Sequence, residues 1–209
     1  MDAAATARRL VEERGTTLAQ EAGIVLTDEP GPLWQLLVLA QLLSARISAR
    51  AALASARELF GAGWTTPQRL RSSTWNQRVA ALGRGGYRRY DFSTATRLDH
   101  NATLLLDRWG GDLRRLRDEA EVDAAAIARA VQGFDGIGPT GADIFLREVQ
   151  AVWPSVRPHL DTLTLKGAAK AGLPQDPVTL AGLVQGEDLA ALCAALVRLA
   201  RDRSAPSAG

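Results

Sequence analysis

Residues 132–141 read QGFDGIGPTG, and this glycine-rich stretch separates two segments that have the composition of helices. Before it, Asp123 can cap a helix formed by the run AAAIARAVQ. After it, the pattern predicts a helix that starts behind Gly138 and continues to about Val152. The sequence therefore predicts a helix-hairpin-helix unit over about residues 123–152.

The turn itself has features of an anion site. Gly136 and Gly138 permit left-handed backbone angles and a close approach to the main chain, while Phe134 and Ile137 would anchor the turn in the core. The amides at the start of the next helix would point outward, where the helix dipole favours negative charge. A DNA phosphate suits such amides, which bind it without reading sequence. An ordinary turn with glycines needed only for geometry fits the same pattern.

The rest of the chain also repeats apolar residues at helical spacing. Helices are predicted over about residues 33–43, 47–60, 75–82 and 91–109 and from Glu187 onward. In the last helix, one apolar stripe comprises Leu189, Leu192, Cys193, Leu196 and Val197. The 46% hydrophobic content of the 209 residues is mostly Ala, Leu and Val, which favours closely packed helices over sheets. We therefore expect an all-α fold.

Composition excludes several classes of protein. No apolar run approaches the roughly 20 residues that span a bilayer. The first ten residues, MDAAATARRL, lack the apolar core of a signal peptide. Cys193 is the only cysteine, so an internal disulfide cannot form. These features predict a soluble cytoplasmic protein that makes no contact with membranes.

The basic residues give a weaker signal. The formal net charge is only +2, and Lys166 and Lys170 are the only lysines among the 25 basic residues. A coding bias would explain the preference for arginine, and arginine also suits bidentate contacts with phosphate. Two groups could follow a DNA backbone: Arg84, Arg88 and Arg89, and Arg114, Arg115 and Arg117.

The hairpin stretch leads through residues 151–154, AVWP, to residues 159–162, HLDT, and upstream residues 42–48 read LLSARIS. Together these segments resemble the helix-hairpin-helix superfamily of DNA glycosylases, nearest to its endonuclease III and adenine-glycosylase branches. In that family a Gly/Pro-rich loop and a catalytic aspartate follow the hairpin, and LLSARIS is similar to its LLSAQAT segment. The resemblance covers about residues 33–171. It implies one lobe over 33–155 and a second built from 1–32 and 156–209.

Two departures from the family pattern affect the expected chemistry. Strand-cleaving members carry a nucleophilic lysine in the hairpin, where this chain has Thr140, and a hydroxyl cannot form the required Schiff base. Many members hold an iron-sulfur cluster on four cysteines, which Cys193 alone cannot do. The resemblance therefore implies a monofunctional glycosylase without a cluster. Lys166 and Lys170, five and nine residues after Asp161, are poorly placed to replace the missing lysine.

Asp161 aligns with the catalytic aspartate of the family. Cleavage of a base–sugar bond builds positive charge on the sugar, which a carboxylate can stabilise while it orients the attacking water. Asp161 also fits the N-cap of a helix from Thr162 to Ala171, and the two roles are compatible. His159 could point the same way, although the family has no histidine there, and a structural role fits it better.

Further site residues follow from the same alignment. Arg46 stands where the family has a polar residue that fills the gap left by a flipped base. The adenine-glycosylase branch has a catalytic glutamate about one and a half turns earlier, where this chain has Ala40 beside Gln41. Neither side chain can act as a strong acid, which argues against adenine as the substrate. The expected DNA contacts are Gly136, Gly138, Thr140, Gly141 and Arg46, and the expected base pocket contains Gln41 and Thr140. Gln41 also fits a place in the core.

We therefore expect a base-excision-repair hydrolase that removes a flipped damaged or mismatched base from double-stranded DNA. It would be a nucleoid-associated monomer with no cofactor and no protein metal site, except that a monovalent cation could bind the hairpin carbonyls. A helix-hairpin-helix protein that binds DNA without catalysis is the alternative, and a helical protein without DNA contact is a further one.

Overall fold

The computed structural model describes residues 2–202, and within them every regular element is helical. The prediction of an all-α fold is confirmed. The α-helices are α1 (Ala3–Arg14), α2 (Leu18–Glu21), α3 (Pro30–Ser44), α4 (Ala49–Gly61), α5 (Pro67–Arg71), α6 (Trp75–Arg84), α7 (Asp91–Trp109), α8 (Leu113–Glu119), α9 (Ala124–Val131), α10 (Pro139–Val149), α11 (Thr162–Lys170), α12 (Pro177–Ala181) and α13 (Leu189–Arg201). Short 3₁₀ turns lie at Pro154–Val156 and Gly186–Asp188.

Side-chain caps define where many helices begin. Ser48, Thr66 and Asp123 each accept a hydrogen bond from a backbone amide in the first turn of the helix that follows. Thr74 and Gln77 form a complete capping box at the start of α6. Because the first amides of a helix have no partner inside it, each such cap contributes about 1 kcal/mol.

Most predicted helices are present, with small differences at their ends. The range of α7 agrees with the prediction, and Asp123 caps α9 as expected. The helix behind Gly138 ends at Val149 instead of Val152, and the last helix begins at Leu189 instead of Glu187. Residues 150–152 form a turn instead, ahead of Trp153, which precedes Pro154 and is therefore disfavoured in helical geometry.

The chain divides into two compact units. One comprises Ala19–Phe145, and the other combines the residues up to Leu18 with those from Leu146 onward. The expected lobe boundaries were at residues 32/33 and 155/156, whereas the observed ones lie at 18/19 and 145/146, the second inside α10.

The unit over Ala19–Phe145 is built around α3. Its run of apolar residues between positions 33 and 42 is almost completely buried, as expected for a short helix that is apolar on all sides. Helices α4 and α8 contact α3, and α6 and α7 contact each other. Trp34 on α3 is fully buried.

The second unit has its core between α1, α11 and α13. The predicted apolar stripe of α13 is buried in full, which confirms that interpretation. Gly167 permits the close approach of α11 to α13, because a Cβ atom at this position would lie 2.0 Å from the carbonyl oxygen of Leu196. No helix among residues 2–202 combines the length and apolar character needed to cross a bilayer.

Candidate functional site

The predicted hairpin lies between α9 and α10. Phe134 and Ile137 are buried, with exposed fractions of 1% and 4%, which confirms them as the anchors of the turn. The amide of Ile137 donates to the carbonyl of Phe134 at 3.1 Å. Gly136, Gly138 and Thr140 lie on the exposed side of the same segment.

The two glycines of the turn have different roles. Gly136 has a φ of +82°, in the left-handed region that glycine adopts readily. Gly138 does not lie in that region. Its position before Pro139 explains this, because the proline ring restricts the preceding residue to extended backbone. A Cβ atom on Gly138 would meet no other atom within 4 Å.

Asn101 of α7 fixes the backbone of the turn. The amide of Asp135 donates to Asn101 Oδ1 at 2.7 Å, and Asn101 Nδ2 donates to the carbonyl of Asp135 at 3.0 Å. The carboxylate of Asp135 contacts His100 Nδ1 at 3.2 Å on the exposed side. The turn is therefore held through its main chain, and its conformation does not depend on the side chains that face solvent.

Gln41, the expected base-pocket residue, is part of this network. Its Oε1 accepts from Asn101 Nδ2 at 3.1 Å, and the side chain is 3% exposed. The orientation follows from the network, because the amide of Asp135 can only donate and so fixes which way Asn101 points. Gln41 Nε2 then has no partner within residues 2–202. A contact with a base stays a prediction.

The start of α10 leaves backbone amides free. Within the described part of the chain, the amides of Gly138, Thr140 and Gly141 have no hydrogen-bond partner. Arg97 lies beside the turn, since a Cβ atom on Gly136 would come within 3.4 Å of its guanidinium. Free amides, a helix N-terminus and a guanidinium together favour an anion.

Gly141 differs from its neighbours because it is buried. A Cβ atom there would lie 2.1 Å from Ser44 Oγ, so glycine is required for the packing of α10 against the end of α3. The structure thus gives Gly141 a packing role. A contact of Gly141 with DNA is still a prediction.

Some of the predicted arginines form ion pairs within the protein, and Arg46 forms none with the described residues. Arg46 is exposed between α3 and α4 and has no partner among residues 2–202. Arg84 pairs with Glu58, and Arg114 and Arg117 form ion pairs near the start of α3, Arg117 with Asp28 at 3.1 Å. Much of the second arginine group is therefore engaged in contacts within the protein.

Asp161 caps α11, as the sequence suggested. Its Oδ1 accepts from the amide of Thr164 at 2.7 Å and from the Thr164 hydroxyl at 2.6 Å. Its Oδ2 accepts from Arg147, whose side chain is only 4% exposed, while that of Asp161 is 11% exposed. A carboxylate offers about four acceptor positions, so three donors leave one free on Oδ2.

The surroundings of Asp161 keep it ionised. Burial raises the pKa of Asp161, but the charge of Arg147, the two hydrogen bonds from Thr164 and a smaller effect of His159 together outweigh burial. The pKa of Asp161 therefore lies below its ordinary value. At neutral pH the group is a carboxylate and carries no proton to donate.

Gln150 fixes the approach to Asp161. Its Oε1 accepts from the amide of His159 at 3.0 Å, and its Nε2 donates to the carbonyl of His159 at 3.2 Å and to that of Arg147 at 3.0 Å. The side chain of Gln150 is fully buried beside Cys193. His159 is thus held through its backbone, in agreement with a structural role.

The two lysines of α11 are in different environments. The amine of Lys170 donates to the carbonyls of Leu199, Ala200 and Asp202 at the end of α13. Lys166 is exposed and has no partner in the described part of the chain. No group of three or more His, Cys, Asp or Glu residues within 2–202 could hold a metal ion.

Sequence reasoning missed Arg147, Gln150 and Asn101. Asn101 follows Leu98 by three residues in α7, which places a polar residue on the buried face and could have marked it. Arg147 interrupts an apolar run in α10, and a buried arginine needs a partner, but its partner is 14 residues away in sequence.

Comparison with known proteins gives a weak structural likeness. No protein-family model matches the chain, and no curated protein matches it either. Among solved structures, an endonuclease III trapped as a covalent intermediate with DNA, in an estranged-adenine complex, is 17% identical, with a TM-score of 0.49. The similarity covers 94% of this chain and 85% of that one. A likeness of this degree carries no conclusion about activity.

The different conformations of Gly136 and Gly138 predict different losses of stability when each is replaced by alanine. Gly136→Ala forces a left-handed angle and a contact with Arg97, so the free energy of unfolding should fall by about 1–2 kcal/mol. Gly138→Ala should change it by less than about 0.5 kcal/mol. Urea denaturation of both variants measures this. Equal losses would show that the turn does not have the described geometry.

Proposed function

We propose that the protein is a monofunctional DNA glycosylase that hydrolyses the N-glycosidic bond of a flipped, damaged or mismatched base in duplex DNA. The observation that carries the proposal is the state of Asp161, an ionised carboxylate held by three donors with one acceptor position free. It stands where the resembling family has its catalytic aspartate.

The geometry of Asp161 suits this reaction. Loss of the base builds oxocarbenium-like charge on the sugar, and a fixed carboxylate stabilises that charge without reorganisation. The free position on Oδ2 can accept a hydrogen bond from the attacking water. Because Asp161 is ionised, protonation of the leaving base must come from elsewhere, from solvent or from another group.

The hairpin would bind the DNA backbone. The free amides at the start of α10 offer donors to a phosphate oxygen, and Arg97 adds positive charge beside them. Such contacts position the duplex without specifying its sequence. Arg46, exposed and uncommitted, would fill the gap in the duplex, and Gln41 with Thr140 would contact the extruded base.

The remaining parts of the proposal follow from the chain's chemistry. One buried cysteine cannot carry an iron-sulfur cluster. We propose that the reaction uses water and no redox cofactor. A monovalent cation at the hairpin carbonyls is compatible with this chemistry. We propose a monomer that acts on double-stranded DNA in the cytoplasm, in association with the nucleoid.

One observation favours a second candidate, a DNA-binding protein without catalysis. Asp161 makes the contacts of a purely structural N-cap, and Arg147 offsets its charge. In that case the hairpin would bind DNA and Asp161 would only stabilise α11. The two candidates differ in whether any base is released.

Asp161→Asn tests the catalytic role. Asparagine still caps a helix and keeps the shape of the side chain, but it removes the charge that stabilises the oxocarbenium ion. Release of base from a panel of duplexes with single lesions should fall by about 10²-fold or more, while binding to undamaged duplex is retained. The panel contains uracil, an oxidised pyrimidine, an alkylated purine and a mismatched adenine.

Asp176→Asn is a matched control within the same protein. Asp176 caps α12 through the amide and hydroxyl of Thr179, as Asp161 caps α11 through Thr164, but it has no arginine partner among residues 2–202. This variant should release base at the wild-type rate. If Asp161→Asn did so as well, the non-catalytic candidate would be favoured and Asp161 would be a cap alone.

The monofunctional reaction predicts that no covalent adduct forms. Thr140 cannot form a Schiff base, and the amine of Lys170 donates to three carbonyls, which leaves Lys166 as the lysine without a partner among residues 2–202. Borohydride added during turnover should therefore trap no protein–DNA adduct. An adduct that is present in the wild type and lost in Lys166→Ala or Lys170→Ala would show a lyase with its nucleophile on α11.

A further inference from the structure

Arg147 is a buried arginine whose side chain contacts Asp161. It lies in the last turn of α10, it is 3% exposed, and its guanidinium donates to Asp161 Oδ2. Arginine stays protonated in proteins, so burial requires a partner that carries negative charge. Asp161 supplies that charge.

We infer that Arg147 is a positioning residue for Asp161, which holds the carboxylate ionised and confined to one orientation at the start of α11. This inference rests on the proposed function, since it concerns how the same carboxylate is prepared for the reaction. Arg147 donates to Oδ2, and Thr164 donates to Oδ1. Rotation of the carboxylate would therefore break hydrogen bonds at both oxygens. The free position on Oδ2 therefore keeps a constant direction.

No other group near the pair can replace this charge. The titratable groups around the Arg147–Asp161 pair are Glu148 on α10, His159 in the loop before α11 and Cys193 on α13. Burial raises the pKa of Cys193 to about 12, so its thiol stays neutral. Glu148 is buried and acidic, and the effect of His159 on Asp161 is smaller than that of Arg147. Arg147 is the permanent cation at this site.

Gln150 offers a way to separate charge from structure. Its side chain connects the carbonyl of Arg147 with both backbone groups of His159, two residues before Asp161. Gln150→Ala therefore disturbs the same region without changing any charge. It should lower stability and the rate of base release, yet it should leave the protonation of Asp161 unchanged.

Removal of Arg147 is expected to raise the pKa of Asp161. The pKa of Asp161 is depressed in the folded protein, so the stabilisation it provides is present above the unfolded pKa, about 3.9, and is lost as pH falls through the folded value. Without Arg147, burial would still raise the pKa of Asp161, with less to oppose it. The carboxylate would then become protonated at higher pH.

The experiment compares wild type with Arg147→Gln, Arg147→Lys and Gln150→Ala. The titration of Asp161 is followed by ¹³C NMR of its carboxyl carbon, assigned with Asp161→Asn, and base release is measured under single-turnover conditions. Both measurements run from neutral pH to well below about pH 3.9, the ordinary value of the group. Arg147→Gln should move both the NMR midpoint and the acid limb of the rate profile up by about one pH unit or more. Arg147→Lys keeps the positive charge, so its NMR midpoint and its acid limb should stay close to those of the wild type.

The outcomes distinguish this inference from the proposed function, because the NMR titration requires no activity. An Asp161 midpoint that is the same in Arg147→Gln and wild type, or that moves equally in Gln150→Ala, would overturn the role of Arg147. If Arg147→Gln does not fold, an ordinary Asp161 midpoint in the wild type would overturn it equally. A raised midpoint in Arg147→Gln supports the role of Arg147, even if no duplex in the panel loses a base and the proposed function fails.

Discussion

The buried ion pair between Arg147 and Asp161 is the constraint on which the second unit's candidate site depends. An arginine that is 3% exposed cannot lose its charge, and a carboxylate at the start of a helix must accept from the first-turn amides. Asp161 meets both requirements, because its carboxylate accepts hydrogen bonds from α10 and from α11. Removal of one partner from such a pair leaves an uncompensated charge, which costs about 3–5 kcal/mol. The same contacts that stabilise the fold therefore fix the one carboxylate that the proposed reaction needs.

In the unit over Ala19–Phe145, the hairpin is prepared in a comparable way. Asn101 holds both backbone groups of Asp135, and Gly136 takes the left-handed angle that turns the chain into α10. The free amides that follow are thus presented on a rigid turn, while the apolar side chains of the turn are buried. A preformed turn would lose little conformational entropy on binding, which suits the proposed recognition of a phosphate whose position is the same in every sequence.

The local parts of this structure follow from sequence. Helical periodicity predicted α7 and the stripe of α13, and short capping motifs predicted that Asp123 and Asp161 begin helices, because these features depend on neighbours within one or two turns. Contacts between distant segments could not be predicted. Nothing in the sequence pairs Arg147 with Asp161. Of the two glycines that permit a left-handed angle, only Gly136 adopts one, because Pro139 restricts the backbone of the residue before it.

The most direct test of the central claim, that Asp161 stabilises a cationic sugar, requires no knowledge of the base that is excised. Two duplexes would carry either a positively charged pyrrolidine or a neutral tetrahydrofuran in place of one sugar, and their dissociation constants would be measured with wild type and Asp161→Asn. A preference of the wild type for the cationic duplex on the order of 10²-fold, absent in Asp161→Asn, is the result the structure predicts. Equal affinity of the wild type for the two duplexes would contradict a catalytic role for Asp161.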